Sequence, residues 1–89
     1  MTVNPKACLS LQKHFKRFET WTITKGRPTV IIGDKELELT DEDSVHIPVN
    51  TLHCIKNTTD EPVEFVEVQT GSYFGEDDII RVKDIYNRQ

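Results

Sequence analysis

Apolar and polar positions alternate with a period of two along most of this chain, the pattern of strands with one face buried. Leu9 and Leu11 alternate with Ser10 and Gln12, and Trp21 and Ile23 alternate with Thr20, Thr22 and Thr24. Lys25-Gly26-Arg27-Pro28 closes that second strand, and Thr29-Val30-Ile31-Ile32 opens a third. Gly33-Asp34 is a tight turn into Glu36-Leu37-Glu38-Leu39, which predicts a hairpin. Asp41-Glu42-Asp43 reads as a loop, Val45 and Ile47 lead to Pro48, and a segment from His53 to Asn57 follows. After a turn at Asp60-Glu61-Pro62, Val63 to Gln69 is the last clear strand. Six or seven short strands joined by Gly, Pro and Asp turns predict an all-β sandwich or jelly roll. No helix of ordinary length competes. The tail from Asp77 to Gln89 is ambiguous: Ile79, Val82 and Tyr86 fit a helical face, but the segment is short and highly charged.

Composition narrows the class. The chain has 89 residues, with 36% hydrophobic and 29% charged side chains, which suits one small packed domain spanning residues 1–89 and not a disordered chain. So small a barrel has little interior, and Val30, Ile32, Leu37 and Leu39 present apolar strand faces, which predicts a homodimer. A net charge of −4, with no basic stripe carrying interleaved aromatics, argues against a nucleic-acid partner. There is no apolar run near the roughly 18 residues of a membrane span and no leader with a small-residue cleavage site, so the expected location is the cytoplasm. Cys8 and Cys54, far apart and outside any metal-type cysteine pair, agree with a reducing compartment.

Candidate chemistry lies in two clusters. The first reads Gln12-x-His14, then Glu19, then Gly26; the second reads Pro48-x-Asn50, then His53, then Asn57. Residues two apart on a strand share a face, so Gln12 and His14 can point inward together, and a bend lets Glu19 join them from the next strand. One amide oxygen, two imidazoles and a carboxylate make a nitrogen and oxygen set without thiolate, suited to zinc and also to manganese, iron, cobalt or nickel. Alternation turns Cys54 away from His53. Glu67 shares parity with Phe65 and Gln69 and can face the interior, the alternative being a solvated carboxylate on an edge strand. The runs Asp41 to Asp43 and Glu76 to Asp78 read as solvated turn charges, His46 as a surface or satisfied core histidine, and Trp21 as core or the wall of a cavity mouth.

The two clusters resemble the paired metal motifs of the cupins, with Gln12 in place of the first histidine and Asn50 in place of a glycine. The resemblance narrows through Leu9-Ser10-Leu11-Gln12, Arg17-x-Glu19-x-Trp21, the run Glu67 to Ile79, and Arg81-x2-Asp84-Ile85-Tyr86-x-Arg88. Together these look like the C-terminal cupin domain of type II mannose-6-phosphate isomerases, a domain often fused behind a mannose-1-phosphate guanylyltransferase. The resemblance implies a small jelly-roll barrel with a short C-terminal tail, a divalent metal, zinc by implication, held by Gln12, His14, Glu19 and His53, and a phosphosugar substrate. Glu67 and Arg88 then become catalytic candidates, and Lys16 and Arg17 candidates for holding the sugar phosphate. A second reading is a non-catalytic cupin that binds a sugar or sugar phosphate and partners a separate guanylyltransferase. Thr20, where the family commonly has a histidine, and an opening at Met1-Thr2-Val3 without an Arg-Pro-Trp-Gly type segment favour that reading, while the set Gln12, His14, Glu19, His53, Glu67 and Arg88 favours the enzyme. A metal-dependent oxygenase is the third, since the same ligands can hold iron.

Overall fold

The computed structural model describes residues 1–82. Its strands are β1 (Thr2–Val3), β2 (Leu11–His14), β3 (Arg17–Lys25), β4 (Thr29–Ile32), β5 (Lys35–Glu38), β6 (Ser44–Ile47), β7 (His53–Lys56), β8 (Val63–Gly71) and β9 (Ile79–Val82), with a 3₁₀ turn at Glu76–Asp78. All pairings are antiparallel and form two sheets, in the orders β1-β8-β3-β6 and β5-β4-β7-β2-β9. This is the expected all-β jelly roll. No α-helix occurs among the described residues, so none is long and apolar enough to cross a membrane.

Burial along β3 follows the period of two. Arg17, Glu19, Trp21 and Ile23 are buried, while Phe18, Thr20 and Thr22 face outward and are half-buried. β3 and β8 pair over their length, so Ile23 meets Phe65, Trp21 meets Glu67 and Glu19 meets Gln69 on the inner face. At the far end of the barrel, Ile23, Trp21, Val63 and Phe65 pack with Val3, Val30, Ile47 and Ile55 into one core. Toward the mouth the same inner faces turn polar, through Glu19 and Arg17 on β3 and Glu67 and Gln69 on β8. One barrel thus has an apolar end and a polar end. A smaller buried group, Leu11, Ile31 and Cys54, lies on the other side of the second sheet, so Cys54 turns away from His53 as alternation requires.

Local backbone chemistry closes the turns. Gly33, at φ 62°, takes the left-handed first position of the two-residue turn between Ile32 and Lys35, which are paired. Asn50, at φ 52°, is also left-handed, which explains how asparagine stands where a cupin motif has glycine: its short polar side chain tolerates this conformation. Its N–H donates to the His14 carbonyl at 2.6 Å and ties the turn before β7 to the end of β2.

Three expectations change. Among the described residues there are nine strands instead of six or seven, because two-residue β1 is too short to show a period and β9 lies in the ambiguous tail. Ile79–Val82, whose pattern is ambiguous, is a strand, fixed by pairing with Leu11 to His14 of β2. Val30 is fully buried and Ile32 and Leu39 pack on the core, so these side chains do not form an external apolar face; the exposed apolar groups include Val66 and Val68 on the outer side of β8.

Candidate metal centre

The mouth holds a cavity of about 290 Å³ lined by residues of both sheets, among them Gln12, His14, Arg17, Glu19, Trp21, His53 and Glu67. β2 and β7 bring Gln12, His14 and His53 from one sheet, with Gln12 paired directly opposite His53. Glu19 comes from β3 in the facing sheet. The three groups His14, Glu19 and His53 are each buried, and each offers a ligand atom within 4.8 Å of the others. Sequence separation therefore becomes spatial convergence across the barrel.

Each donor is oriented by a neighbour. The Trp21 Nε1–H donates to Glu19 Oε1 at 2.7 Å, leaving Oε2 at 3.0 Å from His14 Nε2. His53 Nδ1 lies 3.0 Å from the Thr51 carbonyl, which can only accept, so the ring proton sits on Nδ1 and Nε2 keeps its lone pair. That is the arrangement a metal-bound imidazole needs, with the outer nitrogen donating to a backbone oxygen. His14 Nδ1 is 3.0 Å from Arg17 Nη2 and 3.3 Å from the Asp78 carbonyl. Arginine only donates and a carbonyl only accepts, so these two contacts ask opposite tautomers of His14. The Gln12 amide donates through Nε2 to Ser10 Oγ at 2.9 Å. Two imidazoles and a carboxylate, with an amide beside them and their outer atoms already engaged, fit a divalent cation that takes nitrogen and oxygen ligands.

Electrostatics agree with that donor set. Burial lowers the His53 pKa, and the proximity of His14 lowers it further, against the opposing pull of the Thr51 carbonyl, Glu19 and Glu67. The neutral imidazole, which is the metal-binding form, is thereby favoured.

The remaining candidates divide. Arg17 is buried, and its Nη1 donates to Gln69 Oε1 at 3.2 Å and to the Phe74 carbonyl at 2.9 Å, while its Nε has no hydrogen-bond partner. Glu67 lines the cavity and accepts from Gln69 Nε2. Lys16 is exposed on the β2–β3 turn, with Nζ 5.2 Å from the Tyr73 ring, and is not among the cavity-lining residues. Arg88 lies outside the described residues. His46 stacks on Phe18 on the outer face of the first sheet. Asn57 belongs to the second motif but is structural: it is buried, donates to the Val3 and Glu61 carbonyls and accepts from Thr59.

One residue of the site was not expected. Asp78 is no solvated turn charge; it is buried and accepts the Phe15 and Lys16 N–H groups, each at 3.0 Å, so that it holds the β2–β3 turn while its carbonyl faces His14. Desolvation pushes its carboxyl up, but those two N–H donors, the Arg17 charge and the proximity of His14 outweigh it and hold the pKa below the usual value.

The family described as Mannose-6-phosphate isomerase C-terminal matches residues 1–84. This chain belongs to that family. It is 48% identical over 88 residues to the xanthan biosynthesis protein XanB of Xanthomonas campestris pv. campestris (strain B100), covering 99% of this chain and 19% of that protein. A mannose-1-phosphate guanylyltransferase of Escherichia coli is 43% identical over 88 residues, with 99% and 19% covered. The chain thus spans about a fifth of the length of these relatives. Among solved structures, an uncharacterized conserved protein with a double-stranded β-helix domain from Klebsiella pneumoniae aligns with a TM-score of 0.80 at 20% identity, over 93% of this chain and 70% of that one. That likeness supports the cupin fold.

Proposed function

We propose that this chain is a metal-dependent mannose-6-phosphate isomerase domain, interconverting mannose 6-phosphate and fructose 6-phosphate in the cytoplasm for sugar-nucleotide and polysaccharide synthesis. One observation carries the reading: a single cavity is lined by a possible metal-holding trio, a carboxylate at Glu67 and a buried guanidinium at Arg17. Membership of the family and the names of the relatives point the same way.

Aldose to ketose conversion moves a proton from C2 of the sugar to C1 through an enediol. In the proposed mechanism Glu67 takes the C2 proton and returns it to C1, while the hydroxyl proton passes between the two oxygens. His14, His53 and Glu19, with Gln12 completing the set, would hold a divalent ion, zinc being the proposed one. Such an ion supplies electrophilic stabilisation of the negative charge that develops on the sugar oxygens. Arg17 anchors the substrate phosphate, with Arg88 as a further proposed contact. Burial of the cavity strengthens each of these charge interactions.

The second reading, a binding module that partners a separate guanylyltransferase, rested partly on Thr20. Thr20 lies on the outer face of β3, opposite His46 and Val68, and neither it nor Lys16 is among the cavity-lining residues. That placement favours the enzyme. The test is a coupled assay on mannose 6-phosphate with protein reconstituted in turn with zinc, manganese, cobalt and nickel. Metal analysis of wild type and His53→Ala accompanies it, and about one ion per wild-type chain, lost in the variant, is expected. Substrate binding in calorimetry without turnover under any of these ions makes the chain the binding module. We further propose a homodimer, which light scattering at micromolar concentration checks.

A further inference from the structure

The two neighbours of His14 Nδ1 make opposite demands. Arg17 Nη2, at 3.0 Å, needs an acceptor there, whereas the Asp78 carbonyl, at 3.3 Å, needs a donor. A neutral imidazole carries one N–H. With the proton on Nε2, where it faces Glu19 Oε2 at 3.0 Å, Arg17 is satisfied and Asp78 is not. An ion on Nε2 requires that lone pair, so the proton must sit on Nδ1, where it serves the Asp78 carbonyl and confronts Arg17 with another donor.

Arg17 has little freedom to respond. Its side chain is 4% exposed, and its Nη1 is held by Gln69 Oε1 and the Phe74 carbonyl. Its Nε already lacks a partner. Losing His14 leaves Nη2 unpartnered as well, and Nε and Nη2 form one edge of the guanidinium, the fork that grips two oxygens of an oxyanion. A buried cation with two unsatisfied donors is costly, and an anion relieves that cost.

We propose that ion loading at His14 and oxyanion binding at Arg17 are linked through the His14 tautomer, so that the metal-free site latches Arg17 onto His14 and the loaded site releases it to a tetrahedral dianion such as the phosphate of a phosphorylated sugar. This rests on the metal reading of the site. It adds an order to binding: the ion first, the phosphate second. By reciprocity, the anion raises ion affinity by the same factor.

Inorganic sulfate, a tetrahedral dianion that stays soluble with zinc, is the probe. Calorimetric titration of sulfate into zinc-free and zinc-loaded protein is expected to show at least about a tenfold gain in affinity on loading, with a matching gain in zinc affinity at saturating sulfate. Equal sulfate affinities, or a gain that persists in Arg17→Met, overturn the proposal, the latter because the anion would then sit on the ion. In sulfate-free buffer Arg17→Met should bind zinc as well as or better than wild type, since a competitor for His14 is gone; a weaker site in a folded variant makes Arg17 purely structural. Should that variant not fold, ring ¹⁵N spectra of wild type still decide. His14 Nδ1 is expected to be unprotonated without zinc and protonated with it, and an Nδ1–H in the zinc-free protein refutes the latch. Turnover enters none of these readouts, so linkage without isomerase activity sinks the isomerase reading alone. Sulfate-independent zinc binding sinks this proposal alone, and failure to bind zinc removes the metal reading along with it.

Discussion

The two ends of the barrel are built on the same strands and differ in what those strands turn inward. At the closed end the inner face of β3 and β8 offers Ile23, Val63 and Phe65, each no more than 1% exposed. At the mouth the continuing faces offer Glu19, Arg17, Glu67 and Gln69. The backbone ladder runs through both regions without a change of partner. The hydrophobic end supplies stability through the removal of apolar surface from water, and the polar end relies on that stability to hold charged groups in a cavity they would not choose. The lesson is that ladder continuity, not local packing, fixes the mouth: Glu19 is where it is because Ile23 is where it is, two pleats along.

Breaking the apolar end should cost most. Phe65→Ala is expected to lose about 3–5 kcal/mol of stability in chemical denaturation of the metal-free protein, while Gln69→Ala at the mouth, which removes one of the two acceptors on Arg17 Nη1, should cost about 1 kcal/mol. Equal losses would remove the distinction between the ends. Next comes chemistry at the mouth. Glu67→Gln should reduce turnover by about 10²-fold, close to 2.7 kcal/mol in barrier, with unchanged metal content and melting temperature, because the amide keeps the shape but not the proton transfer. A variant with wild-type turnover returns Glu67 to the role of a solvated carboxylate.

Acid sharpens the comparison. The folded His53 pKa is lowered, so the unfolded chain takes up the proton more readily; stability is fully present above the unfolded value of about 6.5 and falls as pH drops below it. The Asp78 pKa is also lowered, so its contribution is present above an unfolded value of about 3.9 and is lost as pH falls through the folded one. Melting temperature of the metal-free protein should therefore decline in two stages. Amide exchange should open β7 and the β2–β3 turn before the paired centre of β3 and β8; simultaneous opening counts against a weaker mouth. The smallest effect is at the turn before β7. Asn50→Ala should cost about 1 kcal/mol through its left-handed backbone and Asn50→Gly nearly nothing, read from urea midpoints.

Much of this was legible in the sequence for stated reasons. The period of two placed Trp21 and Ile23 inside and Thr20 and Thr22 outside, and the spacing of Gln12, His14, Glu19 and His53 fixed which of them could meet. The faces of β4 were harder to read, since Thr29-Val30-Ile31-Ile32 is apolar throughout and alternation cannot say which side meets the core. Asp78 was illegible because three consecutive acids look solvated, and nothing local reveals that the Phe15 and Lys16 N–H groups arrive from more than sixty residues away to satisfy one of them. Asn57 shows the opposite case, a motif residue whose signal was real and whose work is to tie Val3, Thr59 and Glu61 together. β9 was hidden because its pairing with β2 is long-range and its own four residues carry little pattern.

The Asp78 carbonyl that faces His14 comes 64 residues later in the chain. During synthesis the ligand leaves the ribosome long before the group that orients it. At a few to some twenty residues per second, His14, Glu19 and even His53 exist for seconds without a shaped site. An ion meeting the unfinished chain finds loose imidazoles that any passing copper or nickel can take and also lose again. On the proposed metal reading, selective capture would have to wait for the Asp78 turn to dock. The order of the amino acids would then act as a timer, delaying commitment to a metal until that turn is in place.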